Sequence, residues 1–182
     1  MTLRSALLGT ALAVAFGGAA QAAQIDGWYV SLEGGANWID DWNHDFFVLP
    51  SEASSDTGWA VLASVGYGWS GWRLEFESGY RDNDIDTYSI GGVPITAVAA
   101  DVWEASFMAN VLYDFASSSG AMLSLGAGVG ADYARAKTAP IAPSLVPYDG
   151  DDISLAFQAL VGASYPVTSW MDLTLNYRYL YV

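Results

Sequence analysis

The sequence contains no cysteine, which excludes a disulfide framework and any thiolate-ligated metal site. That absence agrees with passage through an oxidising compartment. Basic residues are scarce: six Lys plus Arg stand against 20 Asp plus Glu, a formal net charge of −14. A surface of that sign without a basic patch is a poor partner for nucleic acid, so none is expected. A spanning helix is missing too. Ala6 to Phe16 is largely apolar but is broken by Gly9 and Thr10, and it falls short of the ~20 residues a membrane helix needs. Nothing later in the chain reads as such a helix. Yet 53% of the 182 residues are hydrophobic and 14% aromatic, so insertion into a membrane must be by strands.

Residues 1–22 read as a secretory signal peptide. Arg4 supplies the positive charge, residues 6–16 the apolar segment, and Ala20-Gln21-Ala22 a small-x-small cleavage site. The mature chain is then expected to start at Ala23 and to form one domain, 23–182. Within it, a period of two recurs. From Gly27 to Trp38, the residues Trp28, Val30, Leu32, Gly34, Ala36 and Trp38 share one face, and Tyr29, Ser31, Glu33, Gly35 and Asn37 the other. Ten residue steps separate the two tryptophans. At ~3.3 Å per residue and a tilt near 40°, they stand roughly 25 Å apart in height, the spacing of the two aromatic girdles of a transmembrane barrel. The same pattern predicts seven strands, at about 27–38, 58–67, 72–81, 101–114, 121–135, 153–165 and 171–182. The girdle residues are Trp28, Trp38, Trp59, Tyr67, Trp72, Tyr80, Trp103, Tyr113, Tyr133 and Tyr165.

The clearest unit is the hairpin built from Val102-Trp-Glu-Ala-Ser-Phe-Met-Ala-Asn-Val-Leu-Tyr-Asp-Phe115 and Met122-Leu-Ser-Leu-Gly-Ala-Gly-Val-Gly-Ala-Asp-Tyr133. Its Phe-Met-Ala-Asn-Val-Leu-Tyr-Asp-Phe and Leu-Gly-Ala-Gly-Val-Gly stretches resemble the central hairpin of the small outer-membrane β-barrel proteins of Gram-negative bacteria. That group includes the opacity-like surface antigens and relatives of the OmpA barrel. Residues 72–81, 156–165 and 175–179 carry the same resemblance. It implies an all-β, antiparallel up-and-down barrel of the eight-stranded type, and a part in envelope integrity, adhesion or host contact.

Connections alternate long and short along the chain. In such barrels the long ones face outward, which puts residues 39–56, 82–100 and 137–151 outside the cell and the N-terminus in the periplasm. A soluble β-sandwich shares the period of two but does not explain this alternation. Seven strands are one short of an even count, and a barrel of seven leaves two unpaired edges, which hydrocarbon does not tolerate. The expectation is a chain lacking its last strand, with the mature barrel either open between the first and seventh strands or closed under strain.

Four features invite a chemical reading. His44, in Asp40-Asp-Trp-Asn-His-Asp45, has acids beside it but no serine nucleophile in the adjacent sequence, and one titratable group is no active site. Asp82-x-Asp84-x-Asp86 begins like a calcium loop, but Thr87 and Val93 occupy the positions that need glycine and an acid. Gly126, Gly128 and Gly130 alternate within a strand and cannot cradle a phosphate; they keep the lumen face small for side chains from other strands. No catalytic residue, cofactor or metal is expected. The inward charges Glu33, Arg73, Glu75, Glu77, Glu104, Asp172 and Arg178 could line a pore. Eight strands, however, leave an interior barely wide enough for its own side chains, so these charges are expected to pair and plug it. Arg178, counted up from the periplasmic end, comes near the height of Glu77 and Glu33. The function expected is a monomeric surface or structural barrel, bounded by outer-membrane lipid and lipopolysaccharide and meeting an extracellular ligand or host surface through its loops. The alternative is a narrow channel for small solutes or hydrophobic molecules.

Overall fold

A computed structural model describes residues 4–15, 25–39, 42–46, 49–55, 57–90, 93–116, 120–138 and 148–182. Its strands are β1 (Arg4–Ala15), β2 (Gly27–Ile39), β3 (Trp42–Phe46), β4 (Leu49–Ser55), β5 (Gly58–Trp69), β6 (Trp72–Ile90), β7 (Val93–Ala116), β8 (Met122–Thr138), β9 (Tyr148–Thr168) and β10 (Met171–Tyr181). These strands pair antiparallel in the order β3-β4-β6-β5-β2-β1-β10-β9-β8-β7, and β6 also pairs with β7. That last pairing closes a ring of β6, β5, β2, β1, β10, β9, β8 and β7. The hairpin β3–β4 stands outside the ring, hydrogen-bonded to β6 through Ser51↔Ile90 and Ser55↔Ile85.

The seven strands expected from the period of two are all here, as β2 and β5 to β10. Along β5 every second residue from Ala60 is buried and its neighbours are exposed, as pleated backbone requires. The exposed set is apolar: Trp28 is 62% and Phe76 56% accessible, and Leu32, Leu125, Leu155 and Phe157 join them. Such a belt is unsuited to water and matches a lipid-facing band.

The place between the first and seventh strands of the expected mature chain is filled among the described residues: β1, from the segment read as a leader, lies between β2 and β10 and pairs with both. Two expectations are corrected. The loops at 39–56, 82–100 and 137–151 are not irregular throughout. β6 and β7 run on as a ribbon to Ile90↔Val93, and β8 and β9 to Thr138↔Tyr148. About 9–11 residues cross a bilayer, and β7 has 24, so its first, turn-ward residues continue beyond the barrel; a hydrogen-bonded ladder need not stop where the lipid stops. Finally, the turn after β5 is shorter than expected. Only Ser70 and Gly71 separate Trp69 from Trp72, and both have positive φ, 48° and 85°, the geometry of a tight hairpin that follows strand twist. Asp26 Oδ1 accepts a hydrogen bond from Ser70 N at 3.0 Å, fixing this turn to the chain entering β2.

A plugged lumen as the candidate functional site

Because side chains alternate, each strand delivers its polar residues to the ring's interior, where water is scarce and charges need partners. Three groups form at successive heights. At the end with the short β5–β6 turn, Arg73 on β6 is the hub. Its Nη1 lies 2.9 Å from Glu75 Oε1, its Nε 3.0 Å from Asp114 Oδ2, and its Nη2 donates to Ser124 Oγ at 3.1 Å. Ser124 in turn donates to Asp114 Oδ1 at 2.7 Å, Tyr29 OH donates to Glu75, and the guanidinium sits 5.7 Å from the Tyr29 ring centre. Asp172 stands at the near end of β10, half-buried.

At mid-height, Arg178 on β10 reaches two carboxylates. Its Nη1 pairs with Glu33 on β2, and its Nη2 lies 3.0 Å from Glu77 Oε2 on β6. Asn176 donates to Glu33 at 3.0 Å, and Gln158 to Glu77 at 3.2 Å and to Asn110 at 2.6 Å. Charge-assisted bonds of this kind are the strong ones. They tie β2, β6, β7, β9 and β10 across the interior.

The outer group is built differently. Arg81 is fully buried and donates to Ser106 Oγ at 2.8 Å. Register sets Arg81 opposite Glu104, and Ser106 opposite Asp132. Glu104 and Asp132 are buried, mutually repelling, and both within the field of Arg81. Even so, none of their four carboxylate oxygens has a hydrogen-bond partner among the described residues. Above them Asn37 donates to Asn83 at 2.6 Å.

Apolar side chains complete the filling: Met108, Ala156 and Leu180 pack together, with Ala60 and Leu62 on another wall. The glycine stripe of β8 serves this packing. A Cβ on Gly126 would stand 2.7 Å from Leu112 Cγ, one on Gly128 would strike Asn110, and one on Gly130 would strike the Phe107 carbonyl and stand 2.7 Å from Met108 Sδ.

Of the charges singled out from sequence, the structure brings Glu33, Glu77 and Arg178 into one group and Arg73 and Glu75 into another, and places Glu104 in the third. It adds Tyr29, Asp114, Arg81 and Asp132, which the alternation or its continuation could have supplied. The outward aromatics form two chains of rings. Trp59, Tyr80, Trp103 and Tyr133 follow one another at 5.2–5.8 Å near the outer end. At the other end Trp28–Tyr67 and Trp72–Tyr113 meet at 5.3 and 4.9 Å, extended by Trp69 and Phe115. Trp38 and Tyr165 are also exposed.

His44 lies in β3, where the backbone register sets Ser51 opposite it. A serine is therefore nearer than the linear sequence implied, because a hairpin turn brings it back; the side chains of both fall outside the described residues. Asp82 and Asp84 lie in β6, not in a loop, and Asp82 accepts from Tyr80 OH at 3.1 Å. Among the described residues there is no group of three or more His, Asp or Glu placed to hold a metal.

Comparison with known proteins gives three findings. The family described as "Outer membrane protein beta-barrel domain" matches residues 8–182. A protein named "Outer membrane protein" from Gluconacetobacter diazotrophicus is 30% identical over 201 aligned residues, covering 98% of this chain and 52% of that protein. The chain thus spans about half the length of this curated relative. The crystal structure of Neisserial surface protein A (NspA) aligns over 98% of this chain and 95% of its own, with a TM-score of 0.43 and 14% identity.

Proposed function

Because the chain belongs to the outer membrane protein beta-barrel domain family and so resides in the bacterial outer membrane, we propose that it is a non-catalytic surface protein, a closed anchor that displays acidic ribbons outside the cell. The observation that carries this reading is the Arg178 bridge. One guanidinium joins β10 to β2 and β6, and Met108, Ala156 and Leu180 fill the space beside it. A lumen crossed at mid-height by ion pairs and packed with apolar side chains has no continuous water path for steady ion flow. Work is then left to what stands outside, residues 39–56, 82–100 and 137–151, in adhesion, host contact or envelope integrity. Lipid and lipopolysaccharide surround the monomeric barrel.

The test is whole-cell binding to host surface preparations with each outer ribbon shortened in turn, together with planar-bilayer recording of the purified protein. Binding that falls with one ribbon, and no steady conductance, supports the anchor. The second reading, a narrow channel, is favoured by the unpartnered Glu104 and Asp132 oxygens in the outer lumen. Steady cation current that changes with Glu104→Gln would make it the better one.

A further inference from the structure

The outer group of the lumen is short of hydrogen-bond donors. Among the described residues, five of its buried acceptor atoms have no partner: Glu104 Oε1 and Oε2, Asp132 Oδ1 and Oδ2, and Asn37 Oδ1. Against them stands one donor without a partner, Arg81 Nη2. All four side chains are 1% exposed or less, so bulk water does not supply the difference.

The charge balance points the same way. Two carboxylates share one guanidinium, which leaves the group one positive charge short. Arg81 stands opposite Glu104 in register, yet it bonds to Ser106, one inward position nearer the middle of the lumen. Gly79, opposite Ser106, makes room for this: a Cβ there would stand 2.8 Å from Ser106 Oγ and 3.4 Å from Arg81 Nη1. The guanidinium therefore lies on the middle side of the two acids. On β8, Ala134 stands opposite Glu104 and has no donor to offer it. Glu104 and Asp132 are then diagonal neighbours on one inward face, a spacing of about 7–8 Å between Cα atoms, and both side chains can reach an ion between them.

The way in is from outside. On β9, Ser154 stands opposite Asp132 and is half-buried, and Asp152, one inward position farther out, is exposed. On the other side the Arg178 bridge and the packing of Met108, Ala156 and Leu180 close the lumen.

We propose that the outer lumen is a blind binding site for one small monovalent cation, held between Glu104 and Asp132 and entered past Asp152 and Ser154. Oxygen donors suit a hard ion of this kind. A single charge brings the group to neutrality, whereas a divalent ion would overshoot beside Arg81. The two acids and Arg81 come from β6, β7 and β8, which are consecutive neighbours, so the site does not depend on how the ring closes between β2 and β10. Its blind end rests on the closed-anchor reading; the binding does not.

The test uses the protein extracted from outer membranes, in micelles at mildly alkaline pH. Ionic strength is held constant while sodium or rubidium chloride replaces tetramethylammonium chloride, whose ion is too bulky for the site. The urea midpoint of the unaltered protein should rise with the small ion, as binding to the folded state requires. In Glu104→Gln and Asp132→Asn, the concentration giving half that rise should increase at least roughly tenfold. In Asp172→Asn, at the far end of the lumen, it should stay the same. With the bulky ion alone, Glu104→Gln has no bound ion to lose. Crystals grown with rubidium should show an anomalous peak between the two carboxylates. Equal midpoints in all the salts, or a response that survives both variants, overturns the site. So does a midpoint that follows pH and not the ion, because a proton then neutralises the pair. Planar-bilayer recording of the same protein keeps the two readings apart: steady current overturns the closed anchor and the blind end with it, while the ion response still decides the binding.

Discussion

The middle and outer thirds of the lumen are made from the same strands and the same residue types, yet they solve the problem of buried charge differently. Arg178 stands between Glu33 and Glu77, and amides from Asn176, Asn110 and Gln158 satisfy further carboxylate positions. Arg81 faces an equal number of acids, Glu104 and Asp132, but it donates to a serine, and all four carboxylate oxygens are without a hydrogen-bond partner among the described residues. Charge count alone therefore does not decide whether a buried cluster is stabilising. What decides is whether amides stand at the right height to complete it. The middle group behaves as a structural clamp. The middle group leaves Glu33 Oε1, Gln158 Oε1 and Arg178 Nε without a hydrogen-bond partner among the described residues, but in the outer group no carboxylate oxygen has one.

This contrast can be broken most forcefully at the clamp. Arg178→Ala strands two buried carboxylates and should cost about 3–5 kcal/mol, read as a lower urea midpoint of tryptophan fluorescence in micelles and as loss of the gel shift between unboiled and boiled samples. A change below about 1 kcal/mol would mean that water already serves Glu33 and Glu77. Next in size is the glycine stripe. Gly130→Ala drives a Cβ into the Phe107 carbonyl, which is backbone and cannot swing aside, so a loss of about 1–3 kcal/mol is expected. Gly128→Ala meets the Asn110 side chain instead and should cost less, because Asn110 can turn away at the expense of its bond from Gln158. If the two variants lose the same amount, backbone rigidity is not what sets the cost.

Much of this architecture was legible because the pleat has a fixed period. Trp28 and Glu33 could be put on opposite faces of one strand without knowing where any other strand lay. Arg178 could be placed near Glu33 and Glu77 by counting from the turns. The partners of Arg73 were harder. Asp114 and Ser124 approach it from β7 and β8, and which residues share a height depends on the stagger between strands, which no single strand records. Residues 82–100 read as a loop because their apolar alternation fades once lipid is left behind, while the backbone ladder of β6 and β7 continues. Residues 4–15 carry two readings at once. An apolar, small-residue segment satisfies the pattern of a leader and the needs of a barrel seam equally well, and composition cannot separate those uses. Arg81 and Asp132 were inward by parity, but their significance lies in the bonds they lack, which only the assembled lumen displays.

The smallest expected effect is the sharpest, because it reverses sign. Glu77→Gln and Glu104→Gln make the same chemical change at neighbouring heights in one barrel. At Glu77 the carboxylate holds Arg178 Nη2 at 3.0 Å and accepts from Gln158 and Asn110, so the amide forfeits an ion pair and leaves a donor pressed against donors; stability should fall. At Glu104 there is no such bond to forfeit. The amide removes a buried charge that repels Asp132, and Arg81 remains to balance that acid alone. Stability should hold or rise, by on the order of 1 kcal/mol. Both variants are to be measured side by side at one pH and ionic strength, by urea titration in the same micelles. Opposite signs would establish that the two groups differ in kind. If Glu104→Gln instead falls as far as Glu77→Gln, the outer carboxylates have partners in solution, and the outer lumen is a second clamp.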